Sequence, residues 1–268
     1  MRIRPTSFLL FASVAAFSGR CVAQEMRIYT RVYDAGAAAK RADGKDRLAA
    51  TTLTLFHAGR VYDYIPSLGE VIIYEPTHKE FTILKPSRNM ATVVHVDQIK
   101  RLVKQARDFT EKRIADLRTK GTATANAAAD RLEFQLAPQF RTAFNRKRKT
   151  LSLSSGFLQY DAKLEFVKTP EFATAYRRYA DWIHRLNYVL HPRVLMPGSR
   201  LKLNAQLSAR QALPVEVVLR VNAGPRIHLR AEHQIRRSLN QSDRDLIREW
   251  NGKLRARSTR NVTLRDGR

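Results

Sequence analysis

Basic side chains are the residues of this sequence whose type and spacing could do chemistry, and that chemistry is anion binding. Four consecutive cations occupy one predicted turn: Arg146, Lys147, Arg148 and Lys149. A predicted hairpin places a second set, Arg220, His228 and Arg230, on one face of its two strands. We predict that both sets bind anionic groups such as lipid headgroups or acidic polysaccharide. The alternative is that both sets are ordinary solvated surface charge.

The sequence carries no catalytic motif above background. Residues 154–156 and 197–199 come closest to a nucleophile elbow, but neither has the Gly-x-Ser-x-Gly pattern. Phosphate-cradling loops and dinucleotide fingerprints are also absent from the sequence. We therefore predict a protein without catalytic residues and without a cofactor. A hydrolase with an unrecognised carboxylate pair stays an alternative, with candidates on the predicted strands at Asp63, Glu70, Glu75 and Glu80.

Histidine spacing does not predict a metal site. His228 and His233 are five residues apart, which places them on opposite faces of a strand. His184 and His191 are seven apart and could share a helix face. We interpret these histidines as structural and predict no metal ligands.

The first 23 residues are typical of a cleavable signal peptide. Arg2 and Arg4 precede an apolar run at residues 8–17, and Cys21 and Ala23 are small residues before a cut at Gln24. The apolar run is shorter than the roughly 20 residues that span a bilayer. We therefore predict an exported chain, periplasmic or secreted, with no transmembrane helix after cleavage. The alternative is a buried N-terminal helix.

Cleavage would leave a strongly basic chain without cysteine. Cys21 is the single cysteine, so its loss excludes thiol nucleophiles, thiol redox chemistry and cysteine-ligated zinc. The whole chain has 49 Lys+Arg against 24 Asp+Glu, a formal charge of +25. Loss of Arg2, Arg4 and Arg20 with the signal peptide would lower this charge to +22. Such a field attracts polyanions. Because the chain is predicted to be exported, genomic nucleic acid is not an expected partner.

Short apolar segments separated by turns predict an antiparallel meander at residues 26–33, 52–56, 61–65, 70–74 and 81–84. The segment at residues 71–74 is apolar on both faces, unlike a strand that has one face in water. We therefore expect both faces of the meander to be covered, by helices or by a bound apolar ligand.

The rest of the chain predicts helices and further strands. Apolar residues recur at helical spacing from 96 to 120, from 170 to 190 and after an N-cap at Ser242, with shorter helices at 124–132 and 199–212. Strands follow at residues 139–166 and in a hairpin that pairs Val221 with Ile227. We predict one α+β domain over residues 24–256, with a curved antiparallel sheet packed against amphipathic helices. Residues 257–268 are predicted to be a disordered basic tail.

A resemblance to a known family rests on three runs of sequence. "LTLFHAGRVYDYIPSLGEVIIYEPTHKEFTIL" at residues 53–84 resembles the successive hairpins of the periplasmic half-barrel lipoprotein carriers LolA and LolB. "ALPVEVVLRV" and "RIHLRAEHQI" are similar to a strand pair late in those proteins. The chain also resembles uncharacterised exported proteins of planctomycete-type bacteria. The resemblance implies a half-barrel that curls around helices and holds an acyl chain or a hydrophobic segment.

These observations favour an exported, non-enzymatic carrier of a lipid, a lipoprotein or another amphiphile. The predicted walls of the ligand site are aromatic and apolar: Tyr62, Tyr64, Ile72, Tyr74 and Trp182. The alternative function is binding of an anionic cell-envelope polymer through the arginine-rich surface.

Overall fold

The computed structural model describes residues 25–36, 46–191, 194–222 and 227–264. The predicted signal peptide at residues 1–23 lies outside these ranges. So do most of the loop predicted between Asp34 and Asp46 and the tip of the turn that follows Asn222.

Twelve strands and five α-helices make up the described part of the chain. The strands are β1 (Met26–Asp34), β2 (Arg47–His57), β3 (Arg60–Ile65), β4 (Glu70–Glu75), β5 (Glu80–Lys85), β6 (Met90–His95), β7 (Arg141–Asn145), β8 (Thr150–Ser154), β9 (Leu158–Phe166), β10 (Ala212–Val221), β11 (Ile227–Arg236) and β12 (Arg260–Asn261). The helices are α1 (Val96–Lys120), α2 (Ala123–Leu136), α3 (Pro170–Leu190), α4 (Gly198–Ala209) and α5 (Gln241–Arg255).

The strands form one curved, open sheet, which confirms the predicted α+β class. Their order is β12-β6-β5-β4-β3-β2-β1-β11-β10-β9-β8-β7, and all neighbours are antiparallel apart from the β12–β6 pair. Each strand from β2 to β5 is connected to the next by a short hairpin turn. In the turn between β2 and β3, Ala58 and Gly59 both have positive φ, as tight hairpin turns require. The predicted pairing of Val221 with Ile227 is confirmed in the β10–β11 hairpin.

Helices cover both faces of the meander, as its two-sided apolar pattern predicts. One face, called the α3 face here, carries Ile72 and Tyr74 in the large core that includes α3 and α4. The other, called the α5 face, carries Val71 and Ile73 against Trp250 of α5. The strand residues in this second core come from β2 to β6. On the same side of the sheet, the described residues of β9 to β11 do not belong to the apolar cluster around α5.

Three local predictions need correction. Helix α5 begins two residues earlier than predicted, because its N-cap is Asn240 and not Ser242. Asp243 completes the capping box with Asn240. The helix predicted at residues 199–212 is α4, which has Pro197 as N-cap, carries Ser199 buried within it and ends at Ala209. The tail predicted to be disordered is partly structured, because β12 pairs with β6 through the amide of Arg260, which donates to the carbonyl of Asn89 at 2.9 Å.

Candidate anion-binding site

The predicted ligand-wall residues do not line a common pocket. Tyr62 and Tyr64 lie on the α5 face, with ring centroids 6.1 and 5.6 Å from that of Trp250. Ile72 and Tyr74 lie on the opposite face, where the Tyr74 ring is 6.4 Å from that of Tyr179. The sheet itself therefore separates the four residues into two cores.

Trp182, the fifth predicted wall residue, belongs to a third environment on α3. The Nζ atom of Lys100 lies 5.9 Å from its ring centroid, and the guanidinium of Arg185 lies 4.8 Å from it. Such cation–π contacts stabilise an aromatic ring at a helix surface. All five side chains thus pack against the protein's own residues, and the helices account for the apolar pattern that suggested a ligand.

Arg220, His228 and Arg230 lie on the α5 face of the sheet, but on strands β10 and β11, which are not part of the α5 core. The two arginines have carboxylate partners. Arg220 donates to Asp161 at 2.5 Å, and Arg230 donates to Asp46 at 3.1 Å. Arg230 also pairs with Glu232 on its own strand. His228 lies beside Arg220 across the β10–β11 ladder. Because these carboxylates offset the arginine charges, this set offers little net attraction to an external anion.

The basic turn differs in that its charges are exposed and unpaired. Arg146, Lys147, Arg148 and Lys149 form the β7–β8 turn, and all four side chains are exposed. The side-chain oxygen of Asn145 accepts from the amide of Arg148 at 2.9 Å, which fixes the turn locally. Among the residues that the structure describes, no carboxylate forms an ion pair with any of the four. Their charge is therefore available to a ligand.

An open groove of about 390 Å³ adjoins the basic turn. Phe144 and Phe166 meet edge to face in its wall, with centroids 6.4 Å apart. The guanidinium of Arg210 lies 4.7 Å from the Phe144 centroid, and that of Arg146 lies 5.5 Å from the Phe166 centroid. Phe144, Arg146, Phe166 and Arg210 are called the basic groove below. Arg146 belongs to both the turn and the groove, so the two form one continuous surface.

Arg210 is held in the groove by its own helix. One terminal nitrogen donates to the carbonyl and the side-chain oxygen of Gln206, at 2.9 and 2.6 Å. Its Nε atom is buried and has no hydrogen-bond partner among the described residues. A guanidinium fixed in place in this way is suited to binding a carboxylate or a sulfate group through its terminal nitrogens.

A larger open cavity, of about 620 Å³, lies between α5 and the turns of the meander. Its cations are already paired. Glu25 binds Arg244 at 2.6 and 2.7 Å and His57 at 3.1 Å, and Glu75 accepts from Arg60 at 2.6 Å. The Arg244 hydrogen bond holds the pKa of Glu25 below its ordinary value. This cavity is therefore close to electrically balanced and suits an anion less well than the basic groove.

Titratable groups are also buried beneath α3 and α4. Asp63 accepts from the hydroxyls of Tyr179 at 2.5 Å and Thr54 at 2.8 Å, and burial raises its pKa to about 6. Burial, with a contribution from the nearby charge of Arg200, lowers the pKa of both His184 and His233 to about 3. These groups are within the core and have packing partners, which supports the interpretation of both histidines as structural.

Among the described residues, one side-chain group could hold a metal ion, although the sequence predicted none. Glu75, His78 and Glu80 place one ligand atom each within 4.8 Å of one another at the β4–β5 turn. The sequence offered the two glutamates as candidate catalytic carboxylates, and only the folded turn places His78 beside them.

Sequence reasoning found the basic turn but missed the three residues that complete the basic groove. Phe144, Phe166 and Arg210 come from β7, β9 and the end of α4, far apart in the chain. The run of four cations at residues 146–149 is the local signal that pointed to the site.

Comparison with known proteins finds no protein-family model and no curated protein that matches this chain. Among the described residues, no helix has the length and apolar character that crossing a bilayer requires.

Proposed function

We propose that this chain is a non-enzymatic binding protein that holds an acidic polysaccharide of the cell envelope with its basic turn and basic groove. The observation that carries the proposal is the contrast in pairing. Arg220 and Arg230 are matched by carboxylates within the fold, whereas no carboxylate of the described residues pairs with the four charges of the turn. The chain is taken to be exported, as the predicted signal peptide implies.

The groove supplies what an acidic sugar chain requires. Guanidinium groups bind carboxylates and sulfates with two parallel hydrogen bonds, and aromatic faces pack against the apolar faces of sugar rings. Arg146 and Arg210 bracket the Phe144–Phe166 pair, so both kinds of contact are available within one groove. The net charge, +25 for the whole chain and +22 without residues 1–23, adds a long-range attraction that brings a polyanion to the surface.

Neutralising the basic turn should weaken heparin binding far more than neutralising charges elsewhere. The test variant replaces Arg146, Lys147, Arg148 and Lys149 with glutamine. Four contacts worth up to about 1 kcal/mol each predict a loss of about tenfold or more in affinity. The measurement is the salt concentration that elutes each protein from heparin, with Kd by calorimetry at low salt.

The matched control removes the same charge from α1. Arg101, Lys112, Arg113 and Lys120 are exposed, and none of them pairs with a carboxylate of the described residues. If both quadruple variants elute at the same salt, binding depends on net charge alone and the proposed site is wrong. Retention of either variant on anionic vesicles but not on heparin would identify a membrane surface instead.

The amphiphile carrier is a second candidate, favoured by the polar atoms under α3 and α4. His233 accepts or donates at Nδ1 with Thr30 at 2.9 Å, while its Nε2 atom is buried without a partner among the described residues. A core of this kind is held less tightly than a fully satisfied one. If α3 and α4 moved away from the open sheet, an apolar trough with polar groups at its centre would be exposed.

The carrier predicts a bound amphiphile in protein purified without detergent. Native mass spectrometry of that protein should show an added mass of a lipid, and denaturation should release it. A single species of the apoprotein mass, together with no uptake of a fluorescent fatty acid, would eliminate the carrier and leave polysaccharide binding unaffected.

A further inference from the structure

We propose that Glu75, His78, Glu80 and His95 form a site for a divalent ion of the zinc type at the ends of β4, β5 and β6. Three of them are neighbours across the sheet, since Glu75 pairs with Glu80 and Glu80 pairs with His95. Residues directly opposite on antiparallel strands have Cβ atoms about 5 Å apart. The ladder itself therefore brings the three side chains together on the α5 face.

His78 joins them from the turn between β4 and β5. Its Nδ1 atom lies 3.2 Å from Oε2 of Glu75, and Nδ1 of His95 lies 3.6 Å from Oε2 of Glu80. Tetrahedral coordination with bonds of about 2.1 Å places ligand atoms about 3.4 Å apart. Both pairs are already near that separation, and small rotations of exposed imidazoles would bring all four ligands around one ion.

The two oxygens of Glu75 have separate roles. Oε1 accepts from Nε of Arg60 at 2.6 Å, whereas Oε2 faces His78. Arg60 thus orients the carboxylate and leaves the other oxygen for a metal, in the way that outer contacts orient metal ligands.

The backbone around the site is fixed. The amide of Val96, the first residue of α1, donates to the carbonyl of Lys79 at 2.8 Å and ties the turn to the end of β6. Two imidazoles and two carboxylates form a mixed nitrogen and oxygen ligand set, which suits Zn²⁺ better than Mg²⁺ or Ca²⁺, whose sites use oxygen. Because its ligands span three strands, the ion would hold the meander and the start of α1 together.

The experiment uses the untagged full chain, stripped with chelator and titrated with Zn²⁺ against a chromophoric competitor. We expect about one Zn²⁺ per chain, and a Co²⁺ complex with the strong visible absorption of four-coordinate geometry. His78→Ala and His95→Ala should each weaken Zn²⁺ binding by about tenfold or more. Glu80→Gln, which keeps the side-chain volume, should do the same.

His228→Ala is the matched control, because His228 lies on the same face of the sheet but five strands from β5. Its Zn²⁺ affinity should equal that of the unmodified chain. As a second measurement, Zn²⁺ should raise the Tm of the unmodified chain and of the control but not that of the His78→Ala/His95→Ala double variant. Equal affinity in the double variant and the control, or no saturable binding at all, would overturn the site.

Discussion

Replacing Trp250 with alanine should lower the free energy of unfolding by about 3–5 kcal/mol, the usual cost of removing a buried tryptophan. Trp250 is 3% exposed and packs against the rings of Tyr62 and Tyr64. It is the largest side chain of α5 in the core of the α5 face. Without it, α5 loses its anchor on the meander, and Val71 and Ile73 lose their cover.

Urea unfolding followed by circular dichroism would measure this loss. The control is Phe109→Ala on α1, since Phe109 is 72% exposed and its removal should change stability by less than about 0.5 kcal/mol. Should Trp250→Ala cost no more than the control, α5 would not be held by this contact. Its position over the sheet would then depend on the pairs of Arg244 with Glu25 and Arg27 with Asp243.

The second large effect is a loss of stability on acidification, caused by His184 and His233. Each has a folded-state pKa of about 3, against about 6.5 in the unfolded chain. Below pH 6.5 the unfolded chain therefore takes up protons that the folded protein does not. Each histidine should lower the free energy of unfolding by about 1.4 kcal/mol per pH unit, or about 2 kcal/mol by pH 5. This contribution is fully present above pH 6.5 and is lost as the pH falls towards 3.

His184→Asn and His233→Asn should each reduce the loss between pH 7.5 and pH 5 by about 2 kcal/mol. Asparagine retains a nitrogen near the position of Nδ1, which in His184 donates to the carbonyl of Ala180 at 2.7 Å. The exposed His191 provides the control, because His191→Asn should leave the pH dependence unchanged. A slope as steep in both core variants as in the control would show that other groups cause the acid sensitivity.

Asp63 contributes in the opposite direction and must be separated from the histidines. Its pKa is raised to about 6 in the folded protein, so the folded state takes up this proton before the unfolded chain does. Acidification from pH 7 towards pH 4 therefore gains about 2–3 kcal/mol from Asp63. Asp63→Asn removes that gain, and the variant should lose stability on acidification more steeply than the unmodified chain.

Local patterns were sufficient to predict most of the elements. The two-residue period around Val221 and Ile227 allowed only one register that kept Arg220 and Arg230 off the apolar face, and the structure has that register. The helix from residue 96 ends at Lys120 before Gly121, as predicted, because Gly121 adopts a φ of 67° that favours glycine.

The sheet places the predicted wall residues in two cores, Tyr62 and Tyr64 in one and Ile72 and Tyr74 in the other, for a physical reason. An alternating pattern shows which residues share a face, but it does not show what covers that face. Here α5 covers one side, and it is contributed by residues about 170 positions later in the chain. Sequence alone could require a cover for residues 71–74, but only the packed structure could show that the cover is the protein itself.

The basic groove was beyond sequence reasoning because its residues meet through the sheet. Phe144 and Phe166 are separated along the chain by β8 and most of β9, and Arg210 reaches them only because α4 ends where β10 begins. The turn that carries Arg146 could be predicted, since a run of four cations after Asn145 is typical of an exposed hairpin tip.

The position of β7 at the border of the open sheet has a consequence for self-association. Among the described strands β7 has one neighbour, β8, so the hydrogen-bonding groups along its far side are not used by the ladder. A border strand of this kind can template pairing with another molecule, and clustered positive charge discourages it by repulsion. The cations beside Phe144 therefore also keep separate molecules apart, and any counter-charge that neutralises them removes that protection.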